Sequence, residues 1–272
     1  MKAAPFDYIR PSSLEAAVAA LAEDGLTTAA IAGGQSLLPL LALRVAMVDL
    51  VVDISRLDEL KEVTVTPEAL RVGALTTHAA FEDGQVPDVS NGLMRRVASG
   101  ISYRAIRHYG TIGGSVALAD PAADWPGCLI ALGARVRISN RSGERSEPMT
   151  DFIKGQYSTS LAVGDIVLGV EVPRMPTPRW GFAKAARKSG AFADSIAVAV
   201  ARDQRVAVVL AAATTRPCLM AEVSARVMAG TEHALRDAIA ADLAAQAPDA
   251  DAYQKRLHTA TLLRAVRELR GQ

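Results

Sequence analysis

The chain has 272 residues, half of them hydrophobic, which is enough to bury a substantial core and too much for a disordered segment. Thirty Lys and Arg stand against 29 Asp and Glu, so the basic excess that holds nucleic acid is missing and no nucleic-acid partner is expected. Cys128 and Cys218, the only two cysteines, are too few and too far apart to ligate zinc or an iron-sulfur cluster on this chain.

Met1 to Arg10 has no apolar signal core, and the most hydrophobic stretch, Leu37 to Val52, is broken by Pro39, Arg44 and Asp49. No membrane span is expected, and a cytoplasmic location is. Ser12-Ser13-Leu14-Glu15 has capping-box spacing, and Leu14, Val18 and Leu21 recur at i, i+4 and i+7, which predicts an amphipathic helix stopped by Gly25. A strand over Thr28 to Ala32 leads into Gly33-Gly34, a helix over Leu37 to Leu43 follows, and Leu50 to Ile54 returns as a strand. Glu62 to Thr66 and Leu70 to Ala74 flank Pro67-Glu68-Ala69 as a hairpin, and helices are predicted near Thr77 to Asp83 and Asp88 to Ser99.

After a second glycine pair, Gly113-Gly114, the dipeptide Asp120-Pro121 reads as a helix cap, with a helix over Asp124 to Leu132. A hairpin over Arg135 to Glu147 turns at Asn140 to Gly143, and a strand over Ile166 to Val172 is ended by Pro173. The prolines of Arg174 to Pro178 mark a linker, so a boundary is expected near residue 176. Strands over Trp180 to Arg187, Ile196 to Ala201 and Val206 to Ala212 come next, the last two joined by a turn at Arg202-Asp203-Gln204. Helices near Leu235 to Gln246 and Tyr253 to Leu269 follow. The reading is an α+β chain of three units: 1–55 an N-terminal α/β subdomain, 56–175 a second α+β subdomain, and 176–272 a sheet backed by helices.

Two stretches carry chemistry: "AGGQS" from Ala32 to Ser36 and "TIGGS" from Thr111 to Ser115. Adjacent glycines leave no Cβ to block a ligand, so backbone N–H groups can converge on phosphate oxygens, and a helix opening at Leu37 adds its positive end. Either pair alone is ordinary turn chemistry, and neither completes a dinucleotide fingerprint or a P-loop. Two such segments together would suit the two anionic centres of a diphosphate. Of the carboxylates Asp120 and Asp124 close downstream, each must face a neutral donor such as a ribose hydroxyl or an amine, or else cap a helix, and Asp124 is the better candidate for ligand contact.

With these flanks the chain resembles the FAD-binding subunit of molybdenum hydroxylases, the family of the carbon monoxide dehydrogenase medium chain and the xanthine dehydrogenase flavin domain. The stretches that carry the likeness are "AIAGGQSLLPLL", "VGALTTHAAFE", "YRAIRHYGTIGGSVALADPAADWP", "DIVLGVEVP" and "FAKAARKSGAFADSIAVAVA". The resemblance implies a two-subdomain FAD-binding fold of the PCMH and vanillyl-alcohol-oxidase type, followed by an antiparallel sheet with helices. It implies FAD contacts from Ala32, Gly33, Gly34, Gln35, Ser36 and Leu37, from Thr111, Ile112, Gly113, Gly114 and Ser115, and from Ile101, Asp124, Leu168 and Lys184. No catalytic acid or base is expected on this chain. A cation at Lys184 beside the flavin's N1 and C2 carbonyl edge would raise its potential.

Gln35 stands where several relatives carry His, and Phe192 where some place a tyrosine near the flavin; His78 is assigned to capping or packing. By the same resemblance, a small partner subunit carries [2Fe-2S] clusters, a large one carries molybdopterin, and the heterotrimer doubles. Electrons would reach FAD here and leave for an external acceptor. The competing readings are a self-sufficient FAD-dependent oxidase or reductase of this fold, and an assembly protein that has lost FAD.

Overall fold

The structure is a computed structural model that describes residues 2–202 and 205–272. Asp203 and Gln204, in the expected turn, lie outside the described residues. Among those described, no helix is long and apolar enough to cross a membrane.

Three parallel strands form the first sheet, with Leu50–Asp53 at its centre between Asp7–Ile9 and Thr28–Ile31. The central strand is buried at all four positions, as a strand covered on both faces must be. Helix Leu14–Leu21 turns Ala17, Val18 and Leu21 inward. Its cap is Ser13, whose side chain accepts from Ala16 N, one residue later than the Ser12 spacing suggested.

At the C-terminal end of this sheet the Tyr8 hydroxyl and Arg10 donate to Asp53 Oδ2, and Ser55 N donates to Oδ1 at 2.9 Å. Burial pushes the Asp53 carboxyl up, but the hydrogen bonds from Ser55, Tyr8 and Arg10 outweigh it and hold the pKa at about 2. Its stabilisation is therefore present above the ordinary carboxylate range and is lost as pH falls through about 2. Because Arg10 is 40% exposed, the Asp53→Asn variant is expected to lose only about 1–2 kcal/mol at neutral pH. Urea midpoints of variant and parent should converge toward pH 2; a constant gap across that range would disprove the linkage.

The second sheet has five antiparallel strands in the order Val63–Val65, Ala69–Gly73, Ile166–Pro173, Arg135–Asn140, Gly143–Pro148. The third is antiparallel as well: Arg179–Ala185, Ser195–Arg202, Arg205–Ala211, Cys218–Leu219. Its strand Ser195–Arg202 is apolar from Ile196 to Ala201 because both faces are covered. Ile196, Val198 and Val200 join a core shared with Trp125, Leu129 and the second sheet, while Ala197, Ala199 and Ala201 pack under helices Glu232–Gln246 and Ala252–Arg270. One buried cluster thus runs across residue 176. The α+β class is as expected.

Four α-helices among the described residues have no counterpart in the sequence reading: Arg104–Tyr109, Ile112–Leu118, Met149–Phe152 and Ala221–Arg226. Asp120-Pro121 does not open a helix. Asp120 instead accepts from Ala122 N in a local turn, and the next helix begins at Asp124.

Candidate functional site

The sheets and their connecting loops enclose a cavity of about 790 Å³, a size suited to a small-molecule ligand. Ala32 to Leu37 form one stretch of its wall, and Thr111 with Gly113 to Ser115 another. The first stretch packs on the residues just before the second. A Cβ added at Gly33 would fall 1.8 Å from the Tyr109 carbonyl oxygen and 3.1 Å from Gly110 N, so the first glycine segment runs backbone to backbone against the residues that lead into the second.

Their local structures differ. Gly34 adopts φ +69°, and the Gln35 side chain donates to Gly33 O at 3.0 Å, closing the first loop on itself. Helix Leu37–Ala42 does follow, but the Ser36 hydroxyl makes no capping bond. The second segment is the first turn of helix Ile112–Leu118, capped by Thr111 through a bond from Gly114 N. It is a helix start rather than a free-standing loop, held there because Gly113 abuts Ala74: an added Cβ would lie 2.4 Å from the Ala74 Cβ. At Gly114 the same construction meets only Thr111 Oγ1, at 3.1 Å, and otherwise open space.

Asp124 and Lys184 also line the cavity, and they pair with each other: Lys184 Nζ donates to Asp124 Oδ2 at 2.8 Å and to Gly100 O at 3.2 Å. An ammonium has three donors, so one is left for a ligand. Burial raises the Asp124 pKa, opposed by Lys184. Asp124 Oδ1 is buried without any hydrogen-bond partner, which a donor on a ligand would satisfy.

Of the other expected residues, Ile101 lines the cavity, whereas Ile112 and Leu168 do not. Ile112 is sealed in the large core, and the Leu168 side chain packs with Leu50, Val52 and Leu75 under the parallel sheet. Phe192, 70% exposed, stands at the cavity wall beside Gly190. Leu161 to Val167, a loop that runs into strand Ile166–Pro173, forms a further stretch of the wall, and nothing in the sequence marks that loop as a lining segment. Asp165 pins it by accepting from Ala162 N, Asn140 and Arg145, each at 2.8 Å. His78 is buried against Trp125, and its helix is capped by Thr77, so packing and not capping is its structural part.

Glycine-lined backbone from two separate segments of the chain, lining one cavity with a buried carboxylate and ammonium, defines an α+β protein suited to an elongated anionic cofactor. The family described as "FAD binding domain in molybdopterin dehydrogenase" matches residues 4–175. The glyceraldehyde dehydrogenase medium chain of Sulfolobus acidocaldarius is 37% identical over 196 residues, covering 72% of this chain and 69% of that one. The carbon monoxide dehydrogenase medium chain of Afipia carboxidovorans is 29% identical over 281 residues, covering 98% and 97%. Among solved structures, quinoline 2-oxidoreductase from Pseudomonas putida 86 superposes with a TM-score of 0.90 at 31% identity, covering 100% of this chain and 99% of that one.

The chain belongs to the FAD-binding family of the molybdopterin dehydrogenases, and FAD is its cofactor. The residues present fit that cofactor. Asp124 Oδ1 lacks the donor that a hydroxyl or ring N–H would bring, and the open side of Gly114 leaves backbone accessible where any side chain would project.

Proposed function

We propose that the chain is the electron-transferring medium subunit of a heterotrimeric molybdenum hydroxylase. It would hold FAD between the [2Fe-2S] clusters of a small partner and an external acceptor, a large partner carrying molybdopterin, with two heterotrimers paired. The observation that carries the reading is the cavity lined by both glycine segments, the first packed at Gly33 on Tyr109 and Gly110 just before the second, with the Asp124–Lys184 pair in its wall. Both cysteines are free and buried, which suits the reducing cytoplasm and leaves this chain without cluster ligands.

FAD supplies a redox group able to exchange one or two electrons. The chain's own residues bind and orient it: backbone of Ala32 to Leu37 and of Thr111 to Ser115 faces the diphosphate, Asp124 accepts from a neutral donor, and Lys184 gives its remaining N–H to the flavin. Ile101 supplies apolar wall. Ile112 and Leu168 support these contacts from behind, by packing.

The test is anaerobic reduction of the reconstituted, purified chain. Its flavin band is expected to persist with aldehydes, N-heteroaromatics or carbon monoxide, and to bleach when a reduced iron-sulfur partner is added. Bleaching by a small organic substrate without partners would favour a self-sufficient oxidase or reductase. A folded chain that stays colourless after reconstitution would favour an assembly protein. Light scattering of the complex reads the stoichiometry, two copies of each chain being expected.

A further inference from the structure

The imidazole of His78 is oriented from behind and left open in front. Trp125 donates its indole N–H to His78 Nδ1 at 3.0 Å, and both rings are buried. A nitrogen that accepts carries no proton, so in the neutral ring the proton sits on Nε2. Burial, and after it the charge of Arg107, pull the His78 pKa down to about 4, which keeps the ring neutral at physiological pH.

Nε2–H has no protein acceptor among the described residues. Among the described residues the sealed side-chain polar atoms without partners are Thr76 Oγ1 and Asp124 Oδ1; Nε2 is not one of them, and His78 is part of the cavity wall. The Cδ2–Nε2 edge of the ring lies against Gly110, where an added Cβ would come within 2.8 Å of both atoms. Gly110 leads directly into Thr111, so the unused donor lies beside the second glycine segment. Trp125, which fixes the tautomer, follows Asp124, whose Oδ1 is the unused acceptor. A donor and an acceptor, each without a protein partner, thus belong to one buried unit in the cavity wall.

We infer that His78 is a cofactor-binding residue: its Nε2–H donates a hydrogen bond to an acceptor oxygen of FAD, either on the diphosphate or on the flavin half. The inference rests on FAD being the ligand of this groove. Titrating the full-length chain with FAD and, separately, with ADP distinguishes the two sources of the oxygen. His78→Phe is expected to weaken FAD about tenfold, as loss of one hydrogen bond in a buried site does. An equal loss for ADP assigns the diphosphate; an unchanged ADP affinity with a shifted flavin band assigns the flavin half.

His78→Gln, which keeps a side-chain N–H donor, is expected to stay within about threefold of the parent. Trp125→Phe removes the same internal bond while leaving His78 in place, and is expected to lose less than His78→Phe.

The parent chain offers a test without substitution. With four histidines in the chain, ¹⁵N-histidine spectra separate His78. The expected result is the Nε2–H tautomer in the free chain and a moved Nε2–H resonance at FAD saturation. An Nδ1–H tautomer, a resonance unmoved by FAD, or parent-like FAD and ADP affinities in folded His78→Phe would overturn the inference while leaving FAD binding intact. A folded parent chain that takes up neither FAD nor ADP would overturn both.

Discussion

Replacing Gly114 by valine is expected to abolish FAD retention and leave the fold standing, whereas the same substitution at Gly33 is expected to damage both. At Gly114 the added Cβ meets only the hydroxyl of Thr111, a side-chain group able to shift by a few tenths of an ångström. Leaving glycine in a helix also gains back some propensity, so the melting temperature should stay close to the parent's. The valine methyls would occupy the space over the helix start, and FAD affinity should fall at least about 100-fold, or roughly 3 kcal/mol. At Gly33 the Cβ falls 1.8 Å from a backbone oxygen, which can move only if the chain at Tyr109 and Gly110 moves. Overpacking of that kind costs about 1–3 kcal/mol or more, so the Gly33→Val chain should melt earlier as well as lose FAD. Flavin fluorescence titration and thermal melts of both variants check this. Full flavin occupancy in Gly114→Val would show that the second glycine segment does not face the cofactor.

The difference between those two glycines marks where sequence reasoning ends. That each pair offers accessible backbone follows from the residues themselves, since no other residue leaves a backbone N–H so uncovered. Which glycine faces a ligand and which faces protein depends on chain far away: Tyr109 for Gly33, Ala74 for Gly113. The helix Ile112–Leu118 is hidden for the same reason. Two glycines in its first turn lower its intrinsic propensity, and it forms because Thr111 caps it and Gly113 admits Ala74. By contrast, strands such as Leu50–Asp53 and Ser195–Arg202 are plain in the sequence, because burial on both faces demands an unbroken apolar run.

The polar part of the site is less accessible still. Lys184 and Asp124 come from a strand and a helix that no periodicity brings together, and only the family resemblance singles out the lysine. That they engage each other is visible only in three dimensions. Sequence alone gives His78 a capping or packing role, because a lone histidine at a helix start has no chemical signature; its tautomer is set by an indole 47 residues away. Leu168, one residue beyond Val167 of the cavity wall, shows the reverse. Ile166 and Val167 both line the cavity, the strand register shifts between Val167 and Gly169, and Leu168 at that irregularity packs into the core under the parallel sheet.

Lys184→Met is expected to destabilise the chain by about 3–5 kcal/mol at neutral pH, because it leaves a carboxylate buried without its counter-charge. The side chains are 14% and 6% exposed, so water cannot take over the role of the ammonium. Burial already raises the Asp124 pKa, and Lys184 is the chief influence opposing it; without the lysine the pKa rises further. A carboxyl whose folded pKa lies above its unfolded one is most favourable below the unfolded value of 3.8, and that advantage is lost as pH rises through the folded pKa. The deficit of Lys184→Met should therefore be largest at neutral pH and shrink as the solution is acidified. The double variant Lys184→Met, Asp124→Leu removes both charges and should recover most of the stability, yet it has neither the acceptor nor the cation for FAD. Chemical denaturation of the two variants from acid to neutral pH, together with FAD titration, separates the structural part of the pair from its binding part. A single variant as stable as the parent at every pH would show that the lysine does not stabilise the buried carboxylate, and a double variant that binds FAD unchanged would show that this pair plays no part in holding the cofactor.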